Sequence, residues 1–307
     1  MTTLRRSEPS VIPQSTNAPR TRGIPDAGKA PGIALALGGG FSRGFAHLGV
    51  LEVLEQGQLP ISTIVGTSIG GLLGSAYADG ISVRDLCDLG RRVRLRDFLR
   101  FQTSDDGAQR QKKDCIGQFI QEWFRARSLE ELPIPTAIVA TDLGNGAPYV
   151  FTNGPLEVAI RASCAFPGLV KPVEYEGRLL ADGCMVAPVP TAIAARIHSG
   201  CVLGVSVGSN TASASSSENV VKVFDPGFRA SHRIGLEPSW SRHADILLEP
   251  QVHHIDWNDF SRVDDAFAAG VEAMRRALPS LRELLDRQSQ LASVPSMSVR
   301  AERGLAL

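Results

Sequence analysis

Ile33-Ala-Leu-Ala-Leu-Gly-Gly-Gly-Phe-Ser-Arg-Gly44 opens on five apolar residues and stops at three glycines, the pattern of a strand buried on both faces that runs into a tight turn. Phe45, Leu48, Val50, Leu51 and Leu54 then recur at helical spacing up to Gly57. The succession repeats at once, with Ser62-Thr-Ile-Val65 as a second strand, Gly66-Thr-Ser-Ile-Gly70 as a sharp turn, and Leu72 to Ala78 as a helix closed by Gly80. Two strand-turn-helix units in a row predict a single α/β domain with a mainly parallel central sheet between helices, in three layers, and a site at the carboxyl ends of the first strands.

Further out, strands are expected at 135–141, 149–152, 202–207 and 246–249, and a helix at 155–162. Phe267, Val271, Met274, Leu278, Leu281 and Leu285 predict a helix over 264–289. Residues 1–30, with Pro9, Pro13, Pro19 and Pro25 and no apolar run of signal-peptide type, read as a disordered arm. Residues 209–218 are nearly all Ser, Thr, Ala and Asn and read as a mobile loop. The expected domain therefore runs from 31 to 292, with a flexible tail over 293–307.

Lys plus Arg and Asp plus Glu both total 32, so no net field would draw in nucleic acid, and none is expected as a partner. Five cysteines without a C-x-x-C pair suggest neither a disulfide framework nor a zinc site, and fit a reducing, cytoplasmic compartment. No run approaches the roughly 18 apolar residues needed to span a bilayer, so a lipid substrate would be met from the water side. Arg91, Arg92, Arg94, Arg96 and Arg100 interleave with Val93, Leu95, Phe98, Leu99 and Phe101. Peripheral membrane contact through 91–101 is thus open, beside the plainer reading of a solvated helix face packed on the core.

Three local patterns carry chemistry. Gly66-Thr67-Ser68-Ile69-Gly70 fits the G-x-S-x-G nucleophile elbow and falls between a strand and a helix, where partial positive charge favours a developing anion. Gly38-Gly39-Gly40-Phe41-Ser42-Arg43-Gly44 can turn backbone amides into open space, as an oxyanion hole or a phosphate cradle requires. It fails as a dinucleotide fingerprint, because Arg43 stands where the third glycine belongs, and as a P-loop, because no Gly-Lys-Ser/Thr follows. Ala181-Asp182-Gly183 could place a carboxylate at a strand end, although Asp-Gly alone reads first as a turn.

Together the three resemble the patatin-like phospholipases, and within them the bacterial members and the related lysophospholipase domain of neuropathy target esterase. Order and approximate spacing match, as do Phe45 to Leu51, Thr141-Asp142-Leu143, Ile160 to Cys164 and Phe166-Pro167-Gly168, over about residues 31 to 275. The resemblance implies a patatin-like three-layer fold and a serine acyl hydrolase of lipid esters, without cofactor or metal. In it Ser68 would be the nucleophile, Asp182 the base of a Ser-Asp dyad, and water would resolve an acyl-enzyme. The loop of Gly38, Gly39, Gly40 and Arg43 would supply the oxyanion hole through the Gly39 and Gly40 amides, joined by Ile69, with Arg43 bracing it. Cys184 departs from the pattern, since the family usually carries Gly or Ala after Asp-Gly, and mild crowding beside the base is the expectation.

A free carboxylate with a pKa near 3.9 is a weak base for a serine hydroxyl, and burial beside Leu179-Leu180 is the available remedy. His243, His253 and His254 follow Asp182, so a Ser, Asp, His order of the α/β-hydrolase kind is formally present. A thioesterase or peptidase using the same serine, and a catalytically silent regulator, are the rival functions, since esters, thioesters and amides share one tetrahedral chemistry.

Overall fold

Eight strands carry the domain: β1 (Ile33–Leu37), β2 (Ile61–Thr67), β3 (Thr136–Asp142), β4 (Ala147–Phe151), β5 (Val173–Tyr175), β6 (Arg178–Asp182), β7 (Cys201–Val205) and β8 (Ile246–Leu248). Seven α-helices accompany them: α1 (Ala46–Gln56), α2 (Ile69–Ala78), α3 (Val83–Arg92), α4 (Cys115–Trp123), α5 (Leu156–Ser163), α6 (Thr191–Ile197) and α7 (Val263–Ser293). The computed structural model describes residues 32–93, 115–208 and 241–293, and these counts refer to them. The expected arm 1–30, the loop 209–218, positions 94–101 of the basic segment and the tail beyond 293 lie outside the described residues.

The parallel part of the sheet runs β3-β2-β1-β7-β8. The chain leaves β1 toward β2 and β3 on one side and returns to β7 and β8 on the other, so strand order reverses beside β1, where α/β folds open a crevice. β1 is entirely buried and splits its side chains by alternation. Ile33, Leu35 and Leu37 join the large core beneath α1, α2, α5 and α7. Ala34 and Ala36 meet Ile193 and Ala194 of α6 on the opposite face, where small residues let the helix approach. These are the three layers, α/β/α.

The end of β3 positions the chemistry. A strand has two edges, and β3 bonds three partners: β2 along Thr136–Val139, β4 along Ile138–Asp142 and β6 along Ala140–Asp142. β4 overlaps both others in register, so β2 and β6 must share the remaining edge, one beyond the other. Thr67 opposes Val139 and Asp182 opposes Ala140, the next position. Parallel β2 and antiparallel β6 therefore meet nearly end to end, with Ser68 and Asp182 at the junction.

The expected strands and the two long helices are present, with boundaries moved by one to four residues. The first helix begins later, since Phe41–Phe45 form a 3-10 turn before α1. The β5–β6 hairpin has no counterpart among the expected elements. Its two-residue turn, Glu176-Gly177, takes positive φ at both positions (48° and 72°), and only its glycine is a visible turn signal. Arg91 and Arg92 end α3, and Arg91 pairs with Asp88 and with Asp264 of α7. Among the described residues no helix is long and apolar enough to cross a membrane.

Candidate active site

Ser68 sits between β2 and α2 at φ 54° and ψ −123°, a conformation that L residues avoid and that costs about 1–3 kcal/mol. Close approaches on both sides explain the neighbouring glycines. A Cβ on Gly70 would stand 2.3 Å from the Leu37 carbonyl oxygen, and one on Gly66 would stand 2.5 Å from the Gly71 amide nitrogen. The turn is further held by Ser163 at the end of α5. Its Oγ accepts the Ser68 amide proton at 2.7 Å and donates to the Val139 carbonyl at 2.6 Å.

The Ser68 hydroxyl donates to Asp182 Oδ2 at 2.7 Å, and Asp182 Oδ1 accepts the Cys184 amide at 2.8 Å. Asp182 is held from behind as well, by its own amide to the Ala165 carbonyl at 2.9 Å and by Thr141 Oγ to its carbonyl at 2.7 Å. With the residue 1% exposed, burial raises its carboxyl from 3.8 to about 6, against the hydrogen bonds from Cys184 and Ser68 that lower it. Ser68 itself is 7% exposed. No histidine is among the described partners of Asp182, and His253 and His254 are exposed and meet edge to face with ring centroids 5.9 Å apart.

The glycine loop lies alongside. Gly38 donates its amide to the Val205 carbonyl and Gly39 to the Pro188 carbonyl, both at 3.0 Å. The Gly40 and Ile69 amides meet no acceptor among the described residues. The Arg43 amide returns to the Gly40 carbonyl at 3.2 Å and its Nε donates to the Ile255 carbonyl at 2.7 Å. Ser42 bonds the Trp257 carbonyl with its amide (3.1 Å) and its hydroxyl (2.8 Å), so segment 255–257 straps the loop down. Phe41, at φ 50°, is wedged between the rings of Phe166 (5.3 Å) and Trp257 (4.9 Å). Thr67 is buried, with its Oγ on the Ala187 carbonyl at 2.8 Å.

The geometry thus brings Ser68, Asp182 and the loop Gly38–Arg43 to one place. Among the described residues no group of three His, Cys, Asp or Glu could hold a metal ion. The roles of three contributors were not readable in the sequence: Ser163, His47 and the 255–257 strap. Ser163 falls within Ile160–Cys164, a stretch that carries the resemblance, but nothing in that stretch shows that its hydroxyl serves the Ser68 amide. His47 looks like an ordinary helix residue, yet its Nε2 bonds the Gly38 carbonyl at 2.7 Å from a fully buried position.

Ser163→Ala would leave the Ser68 amide buried without an acceptor. A loss of about 1–3 kcal/mol is expected, read as a lower urea midpoint at unchanged m-value. An unchanged midpoint would show that the bond contributes nothing.

Two buried groups oppose each other in pH dependence. Burial lowers His47 from 6.5 to about 4, so the ring is neutral and Nε2 carries the donated proton. The unfolded chain binds that proton sooner, so this stabilisation is complete above pH 6.5 and is lost as pH falls toward 4. Asp182, raised from 3.8 to about 6, does the reverse: its stabilisation is present at low pH and is lost as pH rises to 6. The two slopes should nearly cancel between pH 4 and 6. Asp182→Asn should uncover the histidine slope, a rise of about 3 kcal/mol from pH 4 to 6.5 in urea titrations. A flat profile in that variant would contradict the His47 assignment.

The family model for patatin-like phospholipase matches residues 35–195. An uncharacterized NTE family protein of Mycobacterium tuberculosis is 37% identical over 184 residues, 60% of this chain and 51% of that protein. The human patatin-like phospholipase domain-containing protein 6 is 31% identical over 188 residues, 58% of this chain and 13% of that protein. The chain thus spans about half the length of the mycobacterial relative, and far less of the human one. Among solved structures, VipD from Legionella pneumophila is similar at 13% identity and a TM-score of 0.44, covering 85% of this chain and 67% of that one.

Proposed function

Since the chain belongs to the patatin-like phospholipase family, matched over residues 35–195, we propose that it hydrolyses carboxylic esters of lipids, with Ser68 as nucleophile and Asp182 as its base. The observation that carries this reading is the 2.7 Å hydrogen bond from the Ser68 hydroxyl to a buried carboxylate whose pKa is raised to about 6. Burial answers the weakness of an ordinary aspartate as a base, because a carboxylate raised to about 6 holds the serine proton more readily than one in water. It still remains ionised at neutral pH, ready to accept it.

In this reading Ser68 Oγ attacks the ester carbonyl while its proton passes to Asp182 Oδ2. The tetrahedral oxyanion takes the amides of Gly40 and Ile69, which meet no acceptor among the described residues, aided by the positive end of α2. Gly38 and Gly39, whose amides are already engaged, and Arg43 on the Ile255 carbonyl keep that loop in place. Collapse breaks the ester bond, and the leaving alcohol recovers the proton from Asp182. Water, deprotonated by the same carboxylate, then attacks the acyl-serine, and as the acyl–Oγ bond breaks Ser68 takes that proton back from Asp182 and a fatty acid is released.

The test is labelling with a fluorophosphonate ester and mapping of the adduct, together with turnover of a panel of lipid esters and thioesters. Modification of Ser68 and release of fatty acid from lipid esters are expected. Folded protein that takes no label at Ser68 and releases no fatty acid would overturn the proposal.

A further inference from the structure

His47, in the first turn of α1, is fully buried yet uses only one of its two ring nitrogens. Nε2 donates to the Gly38 carbonyl at 2.7 Å, while Nδ1 is buried without a hydrogen-bond partner among the described residues. That unpaired nitrogen opposes folding, and an apolar side chain of similar size would avoid it, so the bond to Gly38 is what sets a histidine apart here.

The bond falls where the loop is most free to move. Three successive glycines have no side chains to fix their backbone, and a peptide between two of them can turn over at little cost. Here the Gly38–Gly39 peptide is gripped at both ends, its carbonyl by His47 and its amide by the Pro188 carbonyl at 3.0 Å. The next amide along is that of Gly40, which meets no acceptor among the described residues. The loop also passes the nucleophile at this point, since a Cβ on Gly39 would stand 3.3 Å from Ser68 Cβ. A peptide free to turn there would shift the Gly40 amide relative to Ser68.

The imidazole reaches this peptide from a fixed base. Helices α1 and α7 touch backbone to backbone: a Cβ on Gly270 would stand 1.9 Å from the Ala46 carbonyl oxygen, and one on Gly49 would stand 2.1 Å from the Phe267 carbonyl oxygen. Ala46 precedes His47, so the long helix holds the segment that carries the ring.

We infer that His47 is a positioning residue of the ester-hydrolysis site, its Nε2–H locking the Gly38–Gly39 peptide so that the Gly40 amide faces the oxyanion formed at Ser68. The inference rests on the Ser68 and Asp182 reading and adds to it the device that holds the oxyanion donor in place. Misplacing a catalytic group by about 1 Å can cost about 10²-fold in rate even when substrate binding is untouched.

His47→Gln and His47→Met test it, because the two side chains are alike in length and shape and only glutamine carries a donor as far along the chain as Nε2. His47→Met should lower kcat by about 10- to 100-fold with KM within about twofold, and His47→Gln should recover most of the loss. A long-chain alkyl trifluoromethyl ketone, which Ser68 converts to a hemiketal oxyanion as its proton passes to Asp182, should bind the methionine variant more weakly by a similar factor. The matching methyl ketone, which stays uncharged, should bind both variants alike. Where His47→Met does not fold, His47→Asn, whose amide stops short of the Gly38 carbonyl, takes its place with the same expectation. Equal turnover in the donor and non-donor variants, or a loss of affinity shared by both ketones, would overturn the inference and leave the dyad intact. Wild-type protein that takes no fluorophosphonate at Ser68 and shows no turnover would instead remove the underlying functional reading.

Discussion

Asp182→Asn is expected to lower ester hydrolysis by about 10⁴-fold while making the protein more stable at pH 8 by about 1–3 kcal/mol. The two effects have one cause. Asn cannot take the Ser68 proton, and its amide nitrogen can present N–H toward the Oγ that the carboxylate now accepts from, so the hydroxyl loses both base and orientation. Yet the wild-type carboxylate is charged at pH 8 in a place where burial raises its pKa to about 6, so its ionisation opposes folding. A neutral isostere relieves that opposition and retains an oxygen for the Cys184 amide. Activity and stability trade against each other at this one residue, as is common where a site needs a strained or poorly solvated group. Turnover assays and urea midpoints on the same preparation decide it: near wild-type turnover would exclude Asp182 as the base, and a lower midpoint would exclude the burial argument.

Gly70→Ala is expected to cost about 3 kcal/mol or more, enough to threaten folding, although alanine is ordinarily the better helix residue. Gly70 lies in the first turn of α2, where the helix crosses the end of β1. Its added Cβ would meet the Leu37 carbonyl oxygen at 2.3 Å, the Leu37 carbonyl carbon at 2.6 Å and the Gly38 carbonyl oxygen at 2.7 Å. All three are backbone atoms of the strand and loop that carry the glycine amides, so no side-chain rotation relieves the clash. Gly71, one residue on, provides the contrast. There the nearest atom is the Ile138 side chain at 3.3 Å, and Gly71→Ala should change stability by less than about 1 kcal/mol. Equal urea midpoints for the two variants would refute the claim that the elbow is packed against β1 by backbone contact.

Ile33–Leu37 and the Gly66–Gly70 elbow were legible because their signals are local. An unbroken apolar run ending at glycines, and glycines two residues either side of a serine, follow from burial and from crowding at a turn, and each is complete within a few residues. The long helix Val263–Ser293 was visible for the same reason, through a period repeated over many turns. Asp182 was ambiguous, since Asp-Gly is equally a turn dipeptide, and the short hairpin that delivers it offered only the glycine of its turn as a signal. Ser163 and His47 were invisible in their roles, because each acts on a backbone atom of a different element: the Ser68 amide and the Gly38 carbonyl.

By itself the chain of residues determined which segments become buried strands and helices, and where a serine must sit at a strained turn, because those outcomes depend on neighbours in sequence. Only the tertiary structure decided that Asp182 meets that serine, through β6 continuing the edge of β3 where β2 ends. It alone decided, too, that the carboxylate is buried enough to become a stronger base. Register between distant strands, and the loss of water around a charge, are properties of the assembled sheet that no stretch of sequence contains.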